Sequence, residues 1–487
     1  MSHHSLLSNA AEVPTTEDVD TGLTSSIGRR ASSHLIQRNK SKTEVEVGED
    51  DSILKTAPLL QQDTTSVRGY TLKTVHLGAA FCLLFTAFNV AQAYITLLFP
   101  SIGTLVLGVI YGFFAIGSLG APRVGELLGA KWAMCAASLL FVAFIGSLNS
   151  GMSRLVLFCS LLVGLGSGVL WINQGIWVSR LSDRTGGTLA GYFTGLFFTI
   201  CNLNGVFGNL LAIALLQAGL GINIMIWGMF VAGALGSVLL IFADPMKPTT
   251  KPEPVPISEQ VTAVWNVAKM KKSAVLVPCI WLQGCNLAFV FGRLPELLPT
   301  GSSGIAVAEV FLCYGLIQCI FSYVNGIIYD KFGYKPLLRS FLGTGLSAYL
   351  ILLSLLPTLE NSLHQKITSL LEPYLLVGGM LGHLDTTLNT TINLALSRSY
   401  KPGSETAAAF GFYRVGFCAA MSAVSLCSGG FSVGWVIVWN LTWTLIAGVV
   451  YFRFAGEVQG GSATVEQVLP TMQEPLASEK ETVWNNE

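Results

Sequence analysis

A carboxylic acid and two amides recur at four-residue intervals within one apolar stretch of the sequence. Asp385, Asn389 and Asn393 follow the spacing i, i+4, i+8, which places all three on one face of a helix. A charge at the centre of a membrane helix costs roughly 2.5–3.5 kcal/mol on insertion scales. We therefore interpret Asp385 as a proton or cation site facing a solvated cavity, with a purely structural role as the alternative. His383 lies two residues away and hence on another face, which argues against a His–Asp relay.

Other apolar stretches also carry polar side chains. Four amides are candidates to line the same cavity: Asn89, Gln92, Gln174 and Asn286. Amides inside membrane helices also join neighbouring helices, and we interpret Asn202 and Asn209, together with Arg414, as helix-packing or gating residues. Arg414 has two interpretations, because it could extend to the membrane surface or pair with Asp385 if the two lie at similar depth.

The composition is that of a polytopic membrane protein. Of 487 residues, 52% are hydrophobic and only 11% are charged, whereas a soluble domain is usually about a quarter charged. The ten cysteines all fall in apolar stretches, where they act as small hydrophobic residues. About 20 apolar residues span a bilayer. Twelve segments meet that length: about 73–98, 102–121, 132–149, 155–179, 188–217, 222–242, 274–298, 306–329, 336–356, 372–396, 405–427 and 432–453.

The distribution of Lys and Arg predicts the orientation. With the N-terminus in the cytosol, nearly all basic residues of the loops fall on the cytosolic side, and the opposite side carries Arg154 and Lys366. An even number of segments then places both tails in the cytosol. We predict an integral membrane protein in contact with the lipid bilayer, in the plasma membrane or an endomembrane.

A proline-containing stretch between segments six and seven divides the apolar region into six plus six, which is typical of two-half transporters. The later part of that stretch could form an amphipathic surface helix. The sequence thus predicts five regions: a disordered cytosolic tail (1–72), a first six-helix half (73–243), a cytosolic linker (244–272), a second half (273–454) and an acidic cytosolic tail (455–487).

A short motif recurs at the same place in each half, after segments two and eight. Both copies read acid-x-x-Gly-x-Lys and fall in predicted cytosolic loops. The second, within "NGIIYDKFGYKPLLR", resembles the signature loop of the major facilitator superfamily. The two copies comprise Glu126, Gly129 and Lys131, and Asp330, Gly333 and Lys335.

Five segments, in order, resemble the uncoordinated-ninety-three-like family, the ion channel regulatory branch of the major facilitator superfamily. They read "LGAAFCLLFTAFNVAQ", "GSGVLWINQG", "GLFFTICNLNGVFGNLL", "LDTTLNTTIN" and "ETAAAFGFYR". The matching residues include Trp171, Gln174, Asn209, Asp385, Asn393 and Arg414. The resemblance implies an all-α fold of twelve transmembrane helices, with helices one, four, seven and ten lining a central cavity. It also makes Trp171 a cavity candidate. Asn286 departs from the family, which often has an acid or Gln there.

Two functions remain open from the sequence. One is transport of an ion or small solute across the membrane by alternating access. The other, implied by the resemblance, is a non-transporting regulator or trafficking scaffold with a channel or receptor as its partner. No metal-ligand cluster, nucleophile elbow or phosphate-binding glycine loop stands out. We therefore expect no enzyme activity, no cofactor or metal, and no nucleic acid partner.

Overall fold

The computed structural model describes residues 67–184, 190–247, 256–298, 304–362, 371–400 and 404–459. Within these ranges the chain forms helices and the connections between them. The helices are α1 (Val67–Leu98), α2 (Gly103–Leu128), α3 (Ala130–Leu148), α4 (Ser153–Asp183), α5 (Ala190–Asn202), α6 (Asn204–Gln217), α7 (Gly221–Ile241), α8 (Ile257–Ala268), α9 (Lys271–Gly292), α10 (Leu294–Leu297), α11 (Ile305–Phe332), α12 (Tyr334–Ser362), α13 (Leu371–Ser399), α14 (Ser404–Ser428) and α15 (Val433–Gln459).

Among the described residues, eleven spans are long and apolar enough to cross a membrane, with α5 and α6 together forming one of them. Helix α13 has 29 residues and is the twelfth long helix. It is absent from the eleven because its buried acid, imidazole, amides and hydroxyls lower its hydropathy. The predicted all-α membrane fold is confirmed, and the twelve predicted segments correspond to these helices.

Helix pairing in the first half is repeated in the second. Helix α1 packs on α7, α2 and α3 both pack on α4, and α3 packs on α7. The counterparts six spans later are α9 on α15, α11 and α12 on α13, and α12 on α15. The six-plus-six division of the sequence thus corresponds to two bundles of the same internal arrangement, as expected for parallel structural repeats.

Two seams join the halves, and each is the counterpart of the other. Helix α6 meets α11, and α2 meets α14. In the first seam a Cβ built on Gly315 would lie 2.9 Å from the backbone carbon of Gly205, so only glycine permits this approach. In the second, the Ser422 hydroxyl donates to the Gly108 carbonyl at 2.8 Å. Small residues therefore set the distance between the halves.

The two repeated motifs form tight turns between helices. Gly129 is the single residue between α2 and α3, with φ of 81°, and Gly333 is the single residue between α11 and α12, with φ of 72°. A left-handed φ of this kind favours glycine. Glu126 forms a 2.9 Å ion pair with Arg123 one turn earlier, and the Lys131 ammonium lies 5.1 Å from the ring centre of Trp132.

The second copy of the motif is described less fully. Asp330 lies within α11, but its side chain is outside the described part of the structure. Lys335 lies in the first turn of α12 and is exposed. The assignment of both loops as signature loops of the superfamily stays a prediction.

Most of the predicted cytosolic tails and the first part of the linker lie outside the described residues. Helix α1 already begins at Val67, within the stretch predicted as a disordered tail. The later part of the linker forms α8, which packs on α14. The five-region division itself stays a prediction.

In each half, an ion pair near the helix ends joins two segments that are distant in the sequence. In the first half, Lys73 of α1 lies 2.8 Å from the carboxylate of Asp244, which follows α7. Burial alone would raise the pKa of Asp244, but the hydrogen bond and charge of Lys73 and the backbone N–H of Met246 lower it below its ordinary value. In the second half, Lys272 of α9 lies 2.7 Å from Glu405 of α14.

Candidate functional site

Asp385 lies at the midpoint of α13 and is 5% exposed. Three uncharged donors from two other helices reach its carboxylate. From α11, the Gln318 amide donates at 2.7 Å and the Tyr314 hydroxyl at 3.1 Å, and from α9 the Gln283 amide donates at 3.4 Å. Hydrogen bonds to an ionised group are the strong ones in proteins, so these donors offset part of the desolvation of the carboxylate.

The pairing of Asp385 with Arg414 does not form. Within the described part of the chain, no Lys, Arg or His nitrogen lies within 4.0 Å of the Asp385 carboxylate. The guanidinium of Arg414 instead lies 5.6, 5.8 and 5.8 Å from the ring centres of Phe114, Trp171 and Tyr413. The two charges are therefore held separately, the anion by amides and hydroxyls and the cation by aromatic rings.

The predicted stripe of α13 is joined by side chains from neighbouring helices. The Tyr413 hydroxyl of α14 lies 2.9 Å from Oε1 of Gln283 and 3.0 Å from Oδ1 of Asn389, and its single proton can serve one of them at a time. The Asn393 amide donates to Oδ1 of Asn389 at 2.8 Å. Gln283 and Tyr413 thus connect the buried Asp385 to the exposed Asn389.

A central cavity of about 210 Å³ lies beside this network. Both α11 donors to Asp385 line it, whereas Asp385 lies behind them. Arg414 is the one charged side chain among its described lining residues. That lining comprises Phe85, Phe88, Asn89, Ile110, Tyr111, Phe114, Ser167, Trp171, Cys201, Asn202, Asn204, Gly205, Asn209, Phe291, Phe311, Tyr314, Gln318, Arg414 and Phe417.

Segment five, predicted as one helix, is broken at the cavity wall between α5 and α6. The Val206 N–H donates to the Leu203 carbonyl at 3.1 Å, which frees the Asn202 carbonyl. The Cys319 thiol of α11 donates to that carbonyl at 3.2 Å. The Asn204 amide donates to the Cys201 carbonyl at 2.6 Å and accepts from Asn89 at 2.7 Å. Side chains thus satisfy the carbonyls that the break releases, as a break within a membrane requires.

Six predicted cavity residues lie outside the lining: Asp385, Asn389 and Asn393 of the α13 stripe, and Gln92, Gln174 and Asn286. Gln92 is fully buried and donates to the Tyr111 hydroxyl at 3.0 Å, and Gln174 is 5% exposed within α4. Asn286 is fully buried and accepts from Tyr349 of α12 at 2.7 Å, so it belongs to the interior of the second half. Gln92 lies three residues after Asn89, and Gln174 lies three residues after Trp171. Residues three apart share a helix face only approximately, so the second member of each pair can turn away from the cavity that the first one lines.

His383 faces a different neighbour from Asp385. Its Nε2 lies 3.1 Å from the Ser340 hydroxyl of α12, and Phe321 lies edge-on to its ring at 4.3 Å. The two-residue spacing in the sequence predicts this separation. Within the described residues, no group of three His, Cys, Asp or Glu side chains is placed to hold a metal ion.

Sequence reasoning did not select the four residues that hold the network together: Gln283, Tyr314, Gln318 and Tyr413. A tyrosine in an apolar helix looks like any core aromatic residue. Gln318 lies on the eighth span, which the resemblance does not place at the cavity. Its polarity within an apolar segment was the available signal.

The halves make close contact at the end of the bundle where α1 is followed by α2, which we call the α1–α2 end. There the Tyr94 hydroxyl of the first half donates to the Gly304 carbonyl of the second at 2.8 Å. Gly429 after α14 also lies against Thr104 of α2. At the same end, the Arg293 guanidinium donates to the Phe431 carbonyl at 3.1 Å within the second half. The two halves are therefore in direct contact at this end.

Comparison with known proteins agrees with this architecture. The family model described as Major Facilitator Superfamily matches residues 70–424. The chain belongs to the major facilitator superfamily. It is 24% identical over 280 residues to UNC93-like protein 3 of Arabidopsis thaliana, covering 53% of this chain and 60% of the relative. It is 25% identical over 304 residues to protein unc-93 homolog A of Bos taurus, covering 51% and 66%. The predicted resemblance to this family is confirmed, although the chain spans about two thirds or less of each relative's length.

Solved structures show the same fold at low identity. The nucleoside transporter NupG matches with a TM-score of 0.56 at 12% identity, covering 79% of this chain and 98% of NupG. A D-xylose-proton symporter matches with a TM-score of 0.58 at 15% identity, covering 80% and 99%. The protein is thus an integral membrane protein with a transporter fold.

Proposed function

We propose that this protein moves a small solute across the membrane by alternating access, with Asp385 taking up and releasing a proton or other cation during the cycle. One observation carries the proposal. A single carboxylate lies at the midpoint of a membrane helix, without an ion-pair partner among the described residues, directly behind two side chains that line the central cavity. An ionisable residue inside the membrane is energetically costly, and residues of this kind usually have a functional role.

The geometry couples protonation of Asp385 to binding of the solute in the cavity. An ionised carboxylate is an acceptor only, and it accepts from Tyr314 and Gln318 together. Both bonds end on Oδ2, so protonation of that oxygen converts it to a donor and one of these bonds is lost. Because both donors line the cavity, protonation of Asp385 frees a polar group towards a bound solute. Proton binding and solute binding then influence each other's affinity equally.

The arrangement of the halves supports alternating access. They repeat the same internal pairing and meet along two equivalent seams of small residues. Rocking about those seams opens the cavity to one side and then the other. The contact between the halves at the α1–α2 end supports a conformation held together on that side.

The test compares wild-type protein with Asp385→Asn, using Glu372→Gln as the matched control because Glu372 is an acid in the first turn of the same helix, away from the cavity. Thermal unfolding of detergent-purified protein is measured across ions and small solutes. A ligand at 100 times its dissociation constant should stabilise the fold by about 2.7 kcal/mol. The stabilising solute is then used for uptake into proteoliposomes with and without a proton gradient.

We expect the wild type and Glu372→Gln to show gradient-driven uptake and Asp385→Asn to lose the effect of the gradient. Unchanged gradient dependence in Asp385→Asn would disprove the role of Asp385. No uptake of any stabilising solute would favour the alternative, a regulator or trafficking scaffold for a channel or receptor. That alternative predicts a stoichiometric protein partner after cross-linking.

We also propose that both termini face the cytosol, in the plasma membrane or an endomembrane. The distribution of basic residues supports this orientation. Epitope tags at each terminus should stain in intact cells only after permeabilisation of the plasma membrane. Staining of unpermeabilised cells would show that the tagged terminus faces the outside and would contradict the proposed orientation.

A further inference from the structure

We infer that the solute bound in the central cavity is a small organic anion with a flat apolar body and a hydroxyl or amine donor. This inference rests on the proposed function and names its substrate class. It follows from three features of the cavity: its charge, its walls and one unsatisfied acceptor.

The charge of the cavity is positive. Arg414 carries it alone among the described lining residues, and no carboxylate oxygen of the described chain lies within 4.0 Å of its guanidinium. The Asp385 carboxylate already accepts from three donors and lies behind the wall. A guanidinium is a planar donor that recognises carboxylates through two parallel hydrogen bonds. An anionic solute would supply the counter-charge that the protein does not.

The walls favour a flat solute. Aromatic rings from both halves form much of the lining, and three rings surround the Arg414 guanidinium. The volume of about 210 Å³ is below the range of about 300–1,000 Å³ typical of sites for drug-sized ligands. A single ring with one or two polar substituents is the size of solute that such a cavity accepts.

The third feature is an acceptor without a donor. Asn209 lines the cavity and is 5% exposed. Its amide nitrogen donates to the Gly205 carbonyl at 2.6 Å, whereas its buried Oδ1 has no hydrogen-bond partner within the described structure. A buried polar atom of this kind is costly when left unpaired. Because Oδ1 is covered, a turn of the Asn209 side chain towards the cavity would bring it to a hydroxyl or amine on the solute, which would satisfy it.

The probe is 4-hydroxybenzoate, which combines a carboxylate, one ring and a hydroxyl. Its neutral isostere 4-hydroxybenzamide and the cation 4-hydroxybenzylamine have nearly the same shape. Binding is measured on full-length purified protein by thermal unfolding and equilibrium dialysis. The variants are Arg414→Gln, Arg414→Lys, and Arg154→Gln as the control, since Arg154 is exposed near the start of α4.

We expect 4-hydroxybenzoate to bind wild type and Arg154→Gln equally, and Arg414→Gln about tenfold or more weakly, because a hydrogen bond to a charged group is lost. Arg414→Lys should show intermediate affinity. The amide and the amine should bind wild type at least about tenfold more weakly than the anion. Three outcomes would overturn the inference. They are equal binding of all three probes to wild type, equal binding of the anion to wild type and Arg414→Gln, and no binding of the anion to wild type.

The outcomes separate this inference from the proposed function. Binding of the anion that depends on Arg414, without uptake into proteoliposomes, would support the anion site and reject transport. Gradient-driven uptake of a different solute class, without binding of 4-hydroxybenzoate, would support transport and reject the anion site. The comparison of probes on wild type remains decisive even if Arg414→Gln fails to fold.

Discussion

At the scale of single residues, the environment of Asp385 differs from that of a structural ion pair. Its three donors are two amides and one hydroxyl, none of which carries charge. Neutral donors satisfy the anion without fixing it as strongly as a cation would. The carboxylate can therefore change its protonation state with only hydrogen bonds to rearrange, which suits a group that must both bind and release a cation.

We predict that Gln318→Leu destabilises the protein by about 1–3 kcal/mol, because the shortest donor to a buried carboxylate is lost. The loss should fall by more than half in the Asp385→Asn background, where no buried anion remains to be satisfied. Chemical unfolding of the four proteins in detergent measures this coupling. Additive effects of the two substitutions would show that Gln318 acts through packing alone.

The sequence identified Asp385 as the residue to examine, because a carboxylate in an apolar segment is recognisable without any structure. Its partners could not be identified in this way. Tyr314 and Tyr413 have the composition of ordinary core residues, and their hydroxyls gain meaning only from the helix they face. Asn286 shows the converse. It lies in the segment expected to line the cavity, but its side chain faces Tyr349 of α12 instead.

At the scale of helices, the break between α5 and α6 was beyond prediction from the sequence. No proline marks it, and the amides of Asn202 and Asn204 on either side of Leu203 are equally compatible with an unbroken packed helix. The break is stabilised by Asn89 of α1 and Cys319 of α11, which reach it from distant positions in the chain. Because the interruption depends on these tertiary partners, the local sequence alone does not identify it.

The seam between α6 and α11 should tolerate no side chain. We predict that Gly315→Ala destabilises the protein by about 1–3 kcal/mol, because the new Cβ would meet the backbone at Gly205. Gly326→Ala is the matched control in the same helix, where a Cβ would meet no atom within 4 Å. It should be neutral or stabilising by up to about 1 kcal/mol, since alanine favours helix over glycine. Thermal unfolding of both variants decides, and equal effects would contradict the assigned role of the seam.

At the scale of the whole molecule, hydropathy and the repeated loop motif were enough to predict two halves of six helices. They did not predict which helices join the halves. The helices that join the halves are marked by the small residues of the two seams. The chain contains 51 glycines, so the positions of glycine alone do not identify the seams. The seams follow from three-dimensional pairing rather than from any local pattern.

We predict that Tyr94→Phe shifts the protein towards a conformation open at the α1–α2 end. The substitution removes the 2.8 Å hydrogen bond between the halves, a loss of about 1 kcal/mol or a population change of about fivefold. Spin labels at Gly219 and Ser432, both at that end, report the distance between the halves by electron resonance. The longer distance should gain population in Tyr94→Phe and not in Tyr323→Phe, whose side chain is 74% exposed. Identical distance distributions would show that other contacts hold the end closed.

The low hydropathy of α13 has a consequence for how the protein is made. A helix with a central carboxylate partitions poorly into lipid by itself. Its three donors lie on α9 and α11, which precede it in the chain and leave the ribosome first. Insertion of α13 therefore depends on the earlier part of the second half being present in the membrane to receive it. Mutations that remove those donors should reduce the yield of inserted protein as well as its stability.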